Sequence, residues 1–476
     1  MNIPATSRRE ELAVQAGWQP LDRHKENKTF IRLLDNEFRD PETIEASVAR
    51  QIARMVAYAG DHVPFYRDAF ATAGIDPRTI ASLADLTRLP VLSRFDLASG
   101  FDRLRSNRVS AQDRSLVVAK TSGSTGIPVR VLKTRQSSGS FALLWLRQAR
   151  WFRHDLSRRY ARILTANTLS RRADGTLNRD GETIVKPSWI YAGQYFHTGD
   201  EVQFNSSSSR PDQLRWLQHH RPAYLMTYPG LLEELALANA CQPLEGVEGL
   251  IAISTIMTRA MRARVETCFG IPIYQNYGLN EAGLVAVRCT AGRYHTHIEH
   301  AHVEIVDADG QTVAPGASGR LLVTTLTNPA MPLLRYDTGD IAIAAAGSCP
   351  CGRTLPSFLD ILGRHRRFAA TPEGTRPRVN GLIDCLAEMP AEWLANLRQY
   401  QIHQAGDKSF ELRIQVTGKL HEAFGRALRK TWANLQSDGE DWPLAIVEVG
   451  AIEPSASGKL LDFVSEFDDT QMDMTH

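Results

Sequence analysis

Apolar positions follow three textures along the chain. Between Ile44 and Tyr58 they recur at spacings of three and four, which lines them up as one stripe on a helix. The first hundred residues or so read as helical in this way. From about Leu116 short apolar runs take over, among them Leu116–Ala119, Ala161–Leu164, Ala223–Met226 and Leu250–Ile253, alternating with helical stretches such as Leu231–Asn239 and Arg259–Phe269. Strands alternating with helices predict an α/β body built on a largely parallel sheet. After Arg293 the strands crowd together. His302–Asp307 and Arg320–Leu326 flank the turn-rich run Asp309–Ser318, an antiparallel, partly barrel-like pattern. Past Gly363 a polar, proline-bearing stretch leads to a strand at Glu411–Val416 and a helix at Leu420–Leu435. The prediction is a large N-terminal α/β unit with mixed sheets over residues 1–363 and a small α+β unit over 364–476.

Composition narrows the function. At 43% hydrophobic and 23% charged residues the 476-residue chain is neither disordered nor fibrous. By length alone, at about 150 residues per domain, up to about three domains are allowed. With 55 basic against 53 acidic residues it carries no basic field for nucleic acid. No apolar run approaches the ~18 residues that cross a bilayer, and the start MNIPATSRREELAVQ lacks the apolar core of a secretory signal. The expectation is a soluble cytoplasmic enzyme without a nucleic-acid or membrane partner. Six cysteines are too few for a disulfide framework in a chain of this length, and Cys241, Cys268 and Cys385 are expected to be small buried hydrophobes.

Four segments carry chemistry. Thr121, Ser122, Gly123, Ser124, Thr125 and Gly126 alternate hydroxyls with glycines directly after a strand, so backbone N–H groups and hydroxyls can wrap an anion. No Gly-Lys-Ser/Thr closes the loop, which separates it from a Walker loop. Tyr274–Gly283 (YQNYGLNEAG) follows a strand and sets an aromatic ring and Glu281 at a strand end, where α/β sheets bind ligands. A glutamate there suits Mg²⁺, which takes oxygen ligands and bridges to phosphates. In Arg335–Asp340 (RYDTGD) the carboxylate of Asp340 can take both hydrogens of a ribose diol. Ser457–Lys459 places a lysine on a Gly-Ser loop, a mobile point charge. Separately, Cys289 stands six positions before His295, and Cys349 and Cys351 form a CxC in SCPCGR. Three thiolates and an imidazole make a closed tetrahedral set, the structural kind of zinc site. On an extended strand His297 shares a face with His295 and is the alternative ligand, while His300 and His302 take the other face.

In this order the four segments resemble those of the adenylate-forming superfamily of acyl- and aryl-CoA ligases. The chain is most similar to the phenylacetate–CoA ligase branch and its capsule-biosynthesis adenylyltransferase relatives. His62–Tyr66 (HVPFY), Leu83–Leu97 and Gly319–Asp340 support that branch. The resemblance runs from about residue 40 to 364, and some of these ligases share the C-x5-H and C-x-C spacing with zinc.

The resemblance implies an adenylate-forming domain followed by a small C-terminal lid. It implies conversion of ATP and a carboxylic acid to acyl-AMP with release of pyrophosphate, then acyl transfer to an acceptor. The acceptor is CoA or, alternatively, an amine or carrier protein; a non-catalytic nucleotide-binding homologue is the remaining reading, and a homodimer stays open. An aromatic acid is favoured only because that branch favours aryl acids, with Tyr228, Ile253 and Tyr274 as candidate pocket residues at strand ends. By position, Ser122, Ser124 and Thr125 with their glycines cradle phosphates and Tyr277, Gly278 and Asn276 meet adenine. Asn280 takes a phosphate contact, Glu281 holds Mg²⁺, Asp340 the ribose, Arg364 the hinge, and Lys459 bridges the acid and the α-phosphate. Departures from relatives are Ile127 for a loop lysine and Asn280 for threonine, which favour the non-catalytic homologue, and His365, Arg366, Arg367 and Phe368 at the hinge, which favour a non-CoA acceptor.

Overall fold

The computed structural model describes residues 18–21, 28–109, 116–120, 129–255, 257, 259–364, 382, 385–386, 389–394, 396–405, 409–435, 443–452 and 463–466. The apolar stripe of the N-terminal region is the inner face of helix Pro41–His62, where Ile44, Val48, Ile52, Val56 and Ala59 are buried. Asp40 caps this helix by accepting from the Thr43 backbone N–H, and Pro41 occupies the first turn, where no N–H is needed. The short helix Arg94–Ser99 opens with a capping box, Ser93 and Asp96 bonding reciprocally to each other's backbone.

Twelve strands form one continuous sheet. Its first half is the expected parallel block. Strands β3 (Tyr160–Leu164), β5 (Glu201–Asn205), β6 (Tyr224–Thr227), β7 (Gly249–Ala252) and β8 (Ile273–Leu279) run parallel, with β4 (Thr183–Lys186) antiparallel on the edge. Helices Arg210–His220, Pro229–Ala238 and Arg259–Phe269 connect them. Strand β8 is the joint. Its first residues pair in parallel with β7, and from Asn276 onward it pairs antiparallel with β9 (Gly283–Arg288). The antiparallel half continues through β10 (Tyr294–Thr296), β14 (Ser357–Arg364), β13 (Tyr336–Ala344), β12 (Ser318–Thr325) and β11 (Ala301–Val306).

Three expectations are corrected. The run Leu116–Ala119 does not enter the parallel sheet: among the described residues β1 (Val117–Lys120) pairs only with β2 (Arg130–Lys133), as a separate antiparallel ribbon. Val117 and Val118 are exposed there, so their β-branching serves the ribbon and not a core. Cys241 and Cys268 do not stand alone either. They form a disulfide between the chain leaving helix Pro229–Ala238 and the end of helix Arg259–Phe269, with Cα atoms 4.3 Å apart. Nor are they or Cys385 fully buried, Cys241 being exposed and Cys268 and Cys385 half-buried.

Beyond residue 381 a second body has its own core. Strands β15 (Leu397–Gln404), β16 (Phe410–Val416), β17 (Leu444–Glu448) and β18 (Phe463–Ser465) form a four-stranded sheet. Helix Glu422–Leu435 covers it with Phe424, Leu428 and Trp432. No helix among the described residues is long and apolar enough to cross a membrane.

Candidate functional site

The joint in β8 creates the site. Where the strand leaves the parallel block, it and β9 make a tight hairpin whose turn carries Asn280 and Glu281. Gly283 ends the turn with φ +84°, and a Cβ there would lie 2.8 Å from the His300 Nε2. Only glycine fits, both by dihedral and by space. His300 fastens the turn: its Nε2–H donates to the Ala282 carbonyl at 2.5 Å, and Nδ1 faces the Thr327 hydroxyl at 3.0 Å. Burial pushes its pKa down to about 4, so the ring is neutral.

Glu281 is held inside the molecule, 6% exposed, by groups from two other elements. Arg94, at the start of helix Arg94–Ser99, donates from Nη1 to Glu281 Oε1 at 2.9 Å, and the Tyr336 hydroxyl on β13 lies 3.4 Å from the same oxygen. Oε2 has no hydrogen-bond donor among the described residues, the state a carboxylate needs to take a cation. Four positions along β13 from Tyr336, Asp340 accepts a 2.7 Å hydrogen bond from the Tyr277 hydroxyl of β8. Tyr277 and Asp340 are both buried. Asn276, one position before Tyr277, has a buried Oδ1 with no hydrogen-bond partner among the described residues. A buried acceptor left open in this way costs stability unless a donor arrives. The amino group of a purine is one donor that would satisfy it. Asn280 and Gly278 are exposed on the hairpin, and a Cβ on Gly278 would come within 3.0 Å of the Gly283 carbonyl.

Arg364 ends β14 opposite Asp340 in the β13–β14 ladder, which brings the residue expected at the hinge alongside the residue expected at the ribose. Thr121, Ser122, Gly123, Ser124, Thr125, Gly126 and Lys459 lie outside the described residues, as do Ile127 and His365 to Phe368. The three pocket candidates have different surroundings. Tyr228 follows β6 at its carboxyl end and takes a hydrogen bond from the Thr165 N–H at 3.2 Å. Ile253 follows β7, and Ser254 after it has φ +74°, a strained conformation outside glycine, at the strand end where ligands bind. Tyr274 instead sits early in β8, its ring stacked 3.9 Å from Phe152 and wedged over Gly249, whose added Cβ would be 2.7 Å from it. That ring packs toward the amino-terminal ends of the strands, beside Tyr224 and His154, away from Tyr228 and Ile253.

The sulfur cluster assembles from two turns. Cys289 follows β9, His295 lies on β10, and Cys349 and Cys351 occupy the β13–β14 connection; their ligand atoms all fall within 4.8 Å of one another. The Cys289 and Cys349 sulfurs are 3.6 Å apart, and Cys351 Sγ is 3.3 Å from His295 Nε2. A tetrahedral zinc with ~2.3 Å bonds sets sulfurs about 3.8 Å apart, so the four residues fit the ion. The second shell agrees. His295 Nδ1 lies 3.0 Å from the Leu355 carbonyl, which can only accept, so the proton sits on Nδ1 and Nε2 keeps its lone pair. Burial lowers the His295 pKa to about 4, leaving the ring neutral as a ligand must be. His297 is not in this set. Its Nδ1 accepts from the guanidinium of Arg147, and burial together with that cation holds its pKa well below the usual range.

Sequence reasoning missed Arg94, Lys133, Tyr336 and His300. Lys133, at the end of β2, is half-buried and within electrostatic reach of Glu281 and His300. Only the capping box around Arg94 was locally visible; its contact with Glu281 spans the whole first half of the domain.

Known proteins supply independent bearings. A family model described as AMP-binding enzyme matches residues 189–328. A phenylacetate-coenzyme A ligase of Thermus thermophilus is 30% identical over 332 residues, 68% of this chain and 71% of that protein. One from Escherichia coli is 27% identical, covering 67% and 71%. Among solved structures, a 2-hydroxyisobutyryl-CoA ligase in its postadenylation state, in complex with 2-HIB-AMP, matches with a TM-score of 0.68 at 17% identity over 93% of this chain and 94% of that one.

Proposed function

The chain belongs to the phenylacetate–CoA ligase branch of the adenylate-forming, AMP-binding enzymes, and from that premise we propose that it activates a carboxylic acid, aromatic in preference, as acyl-AMP and passes the acyl group to CoA. The observation that carries this reading is the hydrogen bond from the Tyr277 hydroxyl of β8 to the buried Asp340 of β13, a strand whose Tyr336 reaches the buried Glu281 of the β8–β9 turn.

In this reading Asn276 Oδ1 accepts from the adenine amino group. The Tyr277 hydroxyl, by donating to one oxygen of Asp340, turns the other lone pairs of that carboxylate toward a ribose diol. Glu281, fixed by Arg94 on one oxygen, presents the second to Mg²⁺, which when bound supplies charge neutralisation between phosphate oxygens. The loop from Thr121 to Gly126 holds the phosphates with N–H groups and hydroxyls. Lys459 approaches the acid carboxylate and the α-phosphorus as an oxygen of the acid displaces pyrophosphate. Little covalent help is needed for such a displacement; alignment and compensation of charge are. Residues 1–363 and 364–476 then act as site and lid, with Arg364 at the crossing. Cys289, His295, Cys349 and Cys351 hold a zinc whose closed ligand set is structural.

Pyrophosphate release from ATP, measured over a panel of aryl and fatty acids with and without CoA, tests the reading. Release that follows one acid, with a thioester formed when CoA is added, is the expected result. Lys459→Ala should slow release by about 10²–10³-fold, as removal of one preorganised donor does. Acid-dependent release without a thioester would move the acceptor to an amine or carrier protein. Absence of both release and ATP binding would overturn the assignment.

A further inference from the structure

Lys133 is a cation whose position is built with care. It closes strand β2, and its two neighbours are clamped by one side chain: Asn328 Nδ2 donates to the Leu132 carbonyl at 2.9 Å, and Asn328 Oδ1 faces the Thr134 N–H at 3.4 Å. Asn328 is itself buried and also donates to the Met331 carbonyl at 3.1 Å. The backbone on both sides of Lys133 is therefore fixed to the segment that leads into β13. The side chain is half-buried and makes no ion pair or hydrogen bond with any described residue, while its electrostatic neighbours are Glu281 and the neutral ring of His300. Glu281 already has a cation, Arg94, at 2.9 Å. Thr327, next to Asn328, faces the His300 ring that holds the Ala282 carbonyl, so the backbone around Lys133 is tied to the turn that carries Glu281. Removing an ammonium from water without a partner is costly, and folds retain such a group where an anion completes it.

Resting on the function proposed above, we propose that Lys133 is a phosphate-contacting residue that binds the polyphosphate of ATP beyond the α-phosphate. Its strand follows directly on the Thr121–Pro128 segment, and its charge lies beside the carboxylate assigned to Mg²⁺, the place where the β- and γ-phosphates gather. A bare acid carboxylate could also satisfy an ammonium, and the test separates the two.

Binding of ATP and of AMP to the purified full chain, by calorimetry with Mg²⁺ present, is compared for the wild type, Lys133→Met and Lys133→Arg. Lys133→Met is expected to bind ATP about 10- to 100-fold more weakly, the range of one hydrogen bond to a charged group, with AMP binding unchanged. Lys133→Arg should recover most of the loss, which a general packing defect would not. Equal weakening of ATP and AMP would overturn the proposal, and no weakening of either would too, leaving the acid carboxylate as the partner of Lys133. A wild-type chain that binds neither nucleotide would instead overturn the function on which it rests, so the two failures are told apart.

Discussion

At the scale of single residues, the site depends on hydrogen bonds that aim charges. Asp340 is useful only if its carboxylate is turned, and the Tyr277 hydroxyl at 2.7 Å does the turning. Tyr277→Phe keeps the ring and deletes that bond, so the ATP KM should rise about tenfold with kcat much less affected, as for one charge-assisted hydrogen bond. Asp340→Asn, which lowers the acceptor charge itself, should raise it further. A Tyr277→Phe enzyme with an unchanged ATP KM would remove Asp340 from the ribose. Asp340, Tyr277 and Glu281 stood out in the sequence because their runs resemble the family's motifs, and the structure sets the Tyr277 hydroxyl on Asp340. Arg94 and Lys133 did not stand out, since an arginine at a helix start and a lysine at a strand end are ordinary until the fold sets them beside Glu281. His297 was misleading for a related reason. Two-residue spacing puts it on the same face as His295, but the residue that decides its role is Arg147, on a helix far back in the chain.

Elements add what residues cannot. The cysteine cluster ties the turn after β9 to the β13–β14 connection, and so ties the hairpin bearing Glu281 to the strand bearing Asp340. Each turn is closed by its own hydrogen bond, Gly292 N–H to the Cys289 carbonyl at 2.9 Å and Gly352 N–H to the Cys349 carbonyl at 3.0 Å. Both glycines have positive φ, 87° and 80°. Elemental analysis should find one zinc per chain, and Cys349→Ser should lose it, because three ligands hold zinc far less well than four. The thermal midpoint should fall with the metal, and ATP should bind more weakly as the hairpin and β13 drift apart. A chain that never holds zinc yet keeps its midpoint in the Cys349→Ser variant would make the cluster an ordinary group of thiols. The gathering of Cys289, His295, Cys349 and Cys351 followed from their paired spacing together with the likeness to ligases that share it. The β1–β2 ribbon did not follow, because an apolar tetrapeptide such as Leu116–Ala119 looks the same whether its partner is a parallel neighbour or a hairpin mate.

Across the whole molecule, the question is whether the two bodies share one reaction, as proposed. Their cores are disjoint: one small cluster runs from Leu382 to Trp432 with Phe463 packed on it, and the three large clusters lie before Ile361 or end with it. Between the bodies lies a cavity of about 380 Å³, lined by Arg210, Glu233, Glu234, Arg398, Gln399 and Gln415. Gln399 Nε2 reaches Glu234 Oε1 across it at 3.5 Å, while Glu234 is also paired with Arg210. A contact broken by a cavity, which apolar Leu237, Ala238, Ala451 and Ile452 line together with these polar groups, is weaker than a packed one, and separate cores unfold separately when the surface between them is weak. Differential scanning calorimetry should then show two transitions. Leu412 is fully buried in the small core, and Leu412→Ala, costing about 2–5 kcal/mol as a core truncation, should lower one transition and leave the other in place. A nucleotide bound by both bodies should draw the two transitions together, since anything that binds only the assembled state stabilises the assembly. A single transition that shifts as a whole in Leu412→Ala would mean that the contact through Glu234 and Gln399 couples the bodies tightly, and a lid free to swing during the reaction would then be untenable.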